Sequence, residues 1–486
     1  MSLLDGVAWE GQVFKDGRWT EGRGGTYAVV EPATGAELGT MGHADAEDVA
    51  EAAASAAQAQ KEWAALPHTA RAAVLRKAGD LWQEHAEEIR GWNVREVGSV
   101  PGMADFAIHT AAEECYQAAS LPGLPIGQLL PSEQPRLSMA RQLPAGVVAV
   151  ISPFNVPIIL GIRSVAPALA LGNAVLLKPD PRTAVTGGTL MARIFEEAGL
   201  PAGVLQMLPG GKDVGEAMVT DPHVRVISFT GSTSVGRSIG ELAGRHLKRA
   251  HLELGGNSAL LVLDDADVEQ AVGLTGWASF LNQGQICMTT GRYFVADGLY
   301  DDFVAALSEK ASHLPVGDPN TEQVALGPVI DEGSRDKIHG VVTASVDQGA
   351  RLAAGGEYDR LFYRPTVLAD VPLEAPAFTT EIFGPVAPVT RVSGVEEAVR
   401  LAAQSEYGLS LGIVTRDVMR GLAVAEQIPT GIVHINDQTV NDEANVPFGG
   451  LGASGLGRLG GAAANIEAFT ETRWITVRGE PATYPF

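Results

Sequence analysis

Val147-Val-Ala-Val-Ile151 and Ala174-Val-Leu-Leu177 decide the fold. Both are short apolar runs rich in residues that suit strands. Neither alternates with polar positions, which is the pattern of strands buried on both faces. Working outward, a helix-like segment at 186–198 leads to a third run at 204–208. A helical stretch at 214–219 leads to a fourth at 224–229. The turn at 231–236 opens another helix, and 260–263 closes the series. Short apolar strands alternating with helices predict an α/β fold with a parallel sheet covered on both faces. Such sheets bind ligands beyond the carboxyl ends of their strands.

Upstream, residues 45–66 and 69–91 read as helices. Asp45 can cap the first, Asp48 stands three residues on, and Pro67 ends it. Residues 122–144, rich in Pro, Gln and Ser, read as an extended excursion from the domain body. Downstream, a second alternation places strands at 294–296, 367–371, 410–415 and 432–435. Its helices fall at 301–312, 334–348, 395–405 and 419–427. Two α/β domains are therefore expected, joined near Gly255 and Gly256. One comprises 1–121 with 145–254, the other 255–450.

At 486 residues the chain exceeds a single hydrophobic core. Its formal charge of −23 disfavours nucleic acid and anionic membrane as partners. The acids are spread along the chain and read as a solubility device. With only Cys115 and Cys287, no disulfide framework organises the fold, which fits a reducing cytoplasm. No signal peptide is visible at the N-terminus. The apolar stretch 146–177 is interrupted by Pro153, Asn155, Pro157, Arg163, Pro167 and Asn173, so it reads as buried core and not as a membrane span.

Several short motifs carry chemistry. Phe229-Thr-Gly-Ser-Thr-Ser-Val-Gly236 joins a strand to a helix, where glycines admit a phosphate and the helix N-terminus favours its charge. A plain βα turn would look the same. Gly231 to Ser238 falls one residue short of a P-loop and has Arg237 where lysine is required, so an NTPase is rejected. Gly450-Leu-Gly-Ala-Ser-Gly455 fits a dinucleotide pattern but lacks the leading strand, and reads as a close-packed loop. Cys287, in Asn282-Gln-Gly-Gln-Ile-Cys287, is either a buried small hydrophobe or a reachable nucleophile. Glu253, between two leucines at a strand end, is either a desolvated general base or a residue on a polar strand face. Asn155, between prolines, suits a turn or an oxyanion donor. Lys178 is either solvated or placed beside a nucleotide ribose. No His/Cys cluster has metal-ligand spacing, so no metal is expected.

Taken in order, Pro153-Phe-Asn155, Lys178-Pro179, Phe229-Thr-Gly-Ser232 to Gly236, Glu253-Leu-Gly-Gly256, Gly284-Gln-Ile-Cys287, Glu381-Ile-Phe-Gly-Pro385 and Pro447-Phe-Gly-Gly450 resemble the aldehyde dehydrogenase superfamily. The likeness spans nearly the whole chain. It implies two Rossmann-like domains and a catalytic set of Cys287, Glu253, Asn155 and Lys178. In that set Cys287 is the nucleophile, Glu253 the base for the hydrolytic water, and Asn155 with the Cys287 N–H the oxyanion hole. It further implies an NAD site, with NADP admissible, at Ile151, Ser152, Pro153, Phe154, Lys178, Gly211, Thr230, Gly231, Ser232, Val235, Gly236, Glu253, Leu254, Gly255, Glu381 and Phe383. Many NAD-specific members carry glutamate three residues after the lysine. Here that position is Pro181, followed by Arg182.

The details Pro153-Phe-Asn-Val-Pro157, Arg163-Ser-Val-Ala-Pro167 and Ile286-Cys-Met288 look most like the benzaldehyde, vanillin and salicylaldehyde dehydrogenases. That implies an aromatic aldehyde held by Asn155, Phe154, Ile158, Arg163, Leu281, Ile286 and Met288. Trp277 and Phe280 are further wall candidates that plain core packing would explain equally. The resemblance also implies a homodimer or homotetramer built through 122–144 and 465–486. A CoA-acylating or aliphatic aldehyde dehydrogenase, and a non-catalytic nucleotide-binding protein, are the alternatives.

Overall fold

The computed structural model describes residues 2–486. Its first sheet has eight strands. Five of them, Leu205–Met207, Ala174–Lys178, Val147–Ile151, Val224–Thr230 and Arg249–Glu253, are neighbours in that order and run parallel. The expected parallel sheet is there, but its margins are antiparallel. A hairpin of Gln12–Lys15 and Arg18–Glu21 covers one edge, and Gly455–Leu456 the other. The motif at 450–455 is thus a tight turn between two short strands, of which Leu451–Gly452 pairs with Tyr407–Gly408 and Gly455–Leu456 pairs with Leu252 and Glu253. The sheet thus ends in short strands of four and two residues, which leave few of the unpaired backbone groups that invite aggregation.

The second sheet orders Arg351–Ala354, Thr366–Ala369, Val386–Val392, Thr290–Ala296, Ser258–Val262, Ser410–Val414 and Ile432–Ile435. All lie within 255–450, and only the first of these strands is antiparallel. Val386–Val392 and the helix Val268–Phe280 have no counterpart in the periodicity reading. The strand is buried on both faces and so does not alternate, and the helix is apolar over most of its surface although Glu269, Gln270, Gly273 and Trp277 form an exposed line along it.

Local signals set most element ends. Asp45 accepts from the N–H groups of Glu47 and Asp48, and Asp48 reciprocates, so the helix Ala46–Ala65 begins on a capping box. The helix expected over 69–91 divides at His85 into His68–Glu84 and Ala86–Trp92. The segment expected to be helical over 186–198 starts as a π-turn, Val185–Thr189, before the α-helix Leu190–Glu197. Buried Glu96 accepts from the Val185 and Thr186 N–H groups there. The excursion forms Gly127–Leu129 and Leu137–Pro144, which pair with Thr470–Val477 in a separate three-stranded sheet. Residues 465–469 belong instead to the helix Ala462–Phe469. Among the described residues no helix is long and apolar enough to cross a membrane.

Candidate active site

Register brings the first sheet's functional positions together. Ile151 is level with Lys178 on one side and Phe229 on the other, and Thr230 is level with Glu253. All stand at the carboxyl ends of neighbouring strands and open into one cavity of about 720 Å³. Every residue expected at the nucleotide site lines it except Gly236. That glycine is buried against the sheet, and a Cβ there would run into the Leu254 side chain. Its role is close helix–strand packing, a correction to the expected phosphate contact.

The cavity suits a dinucleotide. Ser232 caps the helix Thr233–Arg245, whose first turn contributes Ser234 and Val235 to the wall. Lys178 is buried, yet its ammonium has only one long contact, 3.4 Å to the Pro179 carbonyl. Burial pulls its pKa down, partly offset by Asp180 and Asp213. At the other end, Glu381 accepts from the Gly256 N–H at 3.0 Å, and burial raises its carboxyl to about 7. A side chain at Gly255 would strike that carboxylate. Phe154 packs edge-on against Phe383. Lys178 lines the first cavity but not the one beyond Cys287, and among the described residues it has no hydrogen bond to Cys287, Glu253 or Asn155, so the structure groups it with the nucleotide site.

A second cavity, about 640 Å³, meets the first at Asn155, Leu160 and Cys287. Its wall is mostly apolar and includes Leu281, Ile286, Met288 and Arg163, as expected. Two expectations fail. Ile158 is wholly buried in the core around the first sheet, because its side of the helix Pro157–Ala170 faces away, while Ile159 and Leu160 of the same turn line the cavity. Phe154 lines only the nucleotide side, under the Arg182 guanidinium at 4.1 Å. Trp277 is not core, since half its surface is exposed at this cavity's rim. Phe280 is both core and wall. Met103 and Phe106, on the helix Pro101–Ser120, and Gln438 and Asp442, on a late loop, also contribute.

Cys287 is held by an unusual loop. Asn282, Gln283 and Gly284 all have positive φ, at 50°, 59° and 68°. Asn282 is fixed by donating to the Asn155 carbonyl at 3.1 Å and accepting from Ser99 at 3.0 Å. Gln283 donates to the Gly98 and Pro328 carbonyls. These bonds offset the strain of two left-handed non-glycine residues. A Cβ on Gly256 would sit 2.6 Å from the Cys287 carbonyl. Asn155 donates to the Gln285 carbonyl at 2.8 Å, which orients its amide and leaves a second N–H.

Electrostatics explain the resting state. Burial pushes the Cys287 thiol up to about 12, with Glu381 and Glu253 adding repulsion. Glu253 is 3% exposed and neither carboxylate oxygen has a partner. Burial raises its pKa well above the usual value, against the pull of Arg163 and Arg458. A thiol and a carboxyl so placed are both poorly ionised, and each gains by giving up or taking a proton only as charge develops nearby. Cys115, by contrast, is fully buried in a helix. No cluster of metal-ligating side chains occurs among the described residues.

The aldehyde dehydrogenase family model matches residues 19–475. A vanillin dehydrogenase from Amycolatopsis sp. is 66% identical over 100% of both chains. A benzaldehyde dehydrogenase (NAD⁺) from Pseudomonas putida is 50% identical over 98% of each. The crystal structure of a salicylaldehyde dehydrogenase from Pseudomonas putida G7, complexed with salicylaldehyde, superposes with a TM-score of 0.94 at 36% identity, covering 98% of this chain and 99% of that one.

Proposed function

The chain belongs to the aldehyde dehydrogenase family and takes a nicotinamide dinucleotide and an aldehyde, and on that premise we propose that it oxidises aromatic aldehydes to carboxylic acids through a thioester on Cys287. The observation that carries the reading is the meeting of two cavities, one suited to a dinucleotide and one largely apolar, at Cys287 and Asn155. An apolar slot beside the thiol suits a flat ring.

After its proton is lost to solvent, the Cys287 thiolate adds to the aldehyde carbon, and the C–S bond forms as the C=O π bond opens to an oxyanion. The second N–H of Asn155 and the Cys287 backbone N–H receive the developing oxyanion, each donor being worth about 3–4 kcal/mol of barrier. A nicotinamide cofactor, which Lys178, Ser232 and Glu381 would help to hold in the first cavity, would supply the hydride acceptor there, and loss of hydride from that carbon leaves a thioester on Cys287. Glu253 then takes a proton from water as the water's oxygen attacks the thioester. The carboxylic acid leaves and the thiol is restored. Unpartnered Glu253 favours water over CoA as acyl acceptor.

For the cofactor, NAD⁺ is the first assignment. Asp180 is in the wall beside Lys178, where it repels a 2′-phosphate. The nearby Arg182 is already paired with Asp180 at 2.9 Å and Asp331 at 2.7 Å. Assembly as a homodimer or homotetramer through the three-stranded sheet completes the reading.

The test is kcat/KM for benzaldehyde, vanillin and acetaldehyde with NAD⁺ and with NADP⁺, without CoA. A preference of 10²-fold or more for the aromatic aldehydes, roughly 2.7 kcal/mol, supports the reading. Equal use of acetaldehyde removes the aromatic assignment, and turnover that requires CoA removes the hydrolytic step.

A further inference from the structure

The apolar cavity beside Cys287 contains a set of buried charges that the oxidation chemistry does not use. Arg163, on the helix Pro157–Ala170, is 3% exposed and donates from Nε to Glu114 at 3.0 Å. Its Nη2 pairs with Asp442 Oδ2, and its guanidinium lies 4.8 Å over the Phe448 ring. Three elements far apart in sequence therefore fix the position of Asp442. The other amides of that loop are spent locally. Gln438 bonds to Val440 at 2.8 Å, and Asn441 bonds to Asp437 at 3.0 Å.

Asp442 is different. It forms part of the cavity wall, and one oxygen is taken by Arg163. Its other oxygen, Oδ1, is buried and has no hydrogen-bond partner among the described residues. A clamp that served only to hold the loop would need just the one bonded oxygen. A buried acceptor without a donor costs stability until something donates to it. Asp442 and Cys287 line the same cavity, so a molecule bonded to the thiol lies in the space that Asp442 helps to wall.

We propose that Asp442 is a specificity-determining residue whose Oδ1 accepts a hydrogen bond from a hydroxyl group on the ring of an aromatic aldehyde, at the 3- or 4-position. The inference rests on the aromatic reading above. The aldehyde end of the substrate meets Cys287 and Asn155, and the hydroxyl end meets Asp442 over the apolar floor between them. Arg163 acts as a positioning residue: it holds the carboxylate in place and balances its charge. A methyl ether at the same ring position has no proton to give and leaves Oδ1 without a partner.

The experiment compares kcat/KM for 3- and 4-hydroxybenzaldehyde with their methyl ethers, and with benzaldehyde and acetaldehyde, in the unaltered enzyme and in Asp442→Asn. The unaltered enzyme is expected to favour one hydroxylated ring over its ether by about 10- to 100-fold. In Asp442→Asn that ratio should collapse toward unity, whatever happens to the absolute rates. A ratio near unity in the unaltered enzyme overturns the proposal without any variant being needed. A ratio that survives in Asp442→Asn, including a uniform loss across all the aldehydes, overturns it and leaves Asp442 as a clamp on Arg163. If acetaldehyde is used as well as benzaldehyde, the aromatic reading itself fails; if benzaldehyde is strongly preferred but hydroxyl and ether are not distinguished, only the role of Asp442 fails.

Discussion

At the scale of single residues, two carboxyl-and-thiol groups define the behaviour to expect. In the proposed reaction Glu253 and Cys287 both act in deprotonated form, and both have raised pKa values, chiefly from burial. The sign follows directly: the active forms are gained as pH rises, so steady turnover should climb from neutral into the alkaline range. A pH–rate profile already flat at pH 5 would contradict this. Glu253→Gln should preserve a rapid burst of reduced cofactor while the steady rate falls, because only deacylation needs the base. Stopped-flow absorbance separates the two phases, and an unchanged steady rate removes Glu253 from the scheme. Asn155→Ala should lower kcat by about 10²-fold, the usual effect of losing one oxyanion donor. A near-normal kcat would leave Asn155 only its structural bond to Gln285. These three residues were legible in the sequence because each stands in a short motif with a recognisable order. Their protonation was not, since burial is a property of the folded surroundings.

At the scale of elements, the loop carrying Cys287 is the part most exposed to damage. Gly284 has φ of 68°, and a Cβ there would fall on the backbone of Gly384. Gly284→Ala should therefore displace the loop, abolish turnover and lower the thermal midpoint, whereas Gly340→Ala, in open space on the helix Glu332–Asp347, should do neither. Activity and differential scanning fluorimetry on the pair check this, and a fully active Gly284→Ala would show that the loop tolerates the shift. The helix Pro157–Ala170 shows where sequence reading stops. Arg163 and Ile158 stand on the same helix, yet one faces the cavity and the other the core. The helix is apolar on almost every side, so no polar face marks the side that lines the cavity. The dinucleotide-like glycines at 450–455 were correctly set aside from sequence, but their pairing with Glu253 appears only in the sheet.

At the scale of the whole molecule, the small sheet of Gly127–Leu129, Leu137–Pro144 and Thr470–Val477 is the outlier. It leaves Leu129 and Trp474 exposed at 76% and 62%, with Leu137 and Val477 also open. Exposed apolar side chains gathered on one sheet mark an interaction surface. Truncation after Phe469 removes the strand Thr470–Val477 and should lower the mass of the assembly measured by light scattering. An unchanged mass would place the subunit contacts elsewhere. The same scale explains the acidic surface: with 58 acidic and 35 basic residues, the molecule gains solubility and has little attraction for other polyanions.

The sequence by itself determined the alternation of most strands and helices along the chain, the capping of Ala46–Ala65, and the motifs that carry Cys287, Glu253, Asn155, Lys178 and Glu381. These are read from local periodicity and from residues whose backbone or chemistry suits one kind of position. Only the tertiary structure decided which side chains share a wall. It put Gly236 and Ile158 into packing, moved Trp277 to the rim, added Val386–Val392 to the second sheet, and brought Glu114, Arg163 and Asp442 together. The reason is physical: a cavity is the space left where distant elements pack, and neither burial nor the partners of a charge are encoded in the few residues on either side of it.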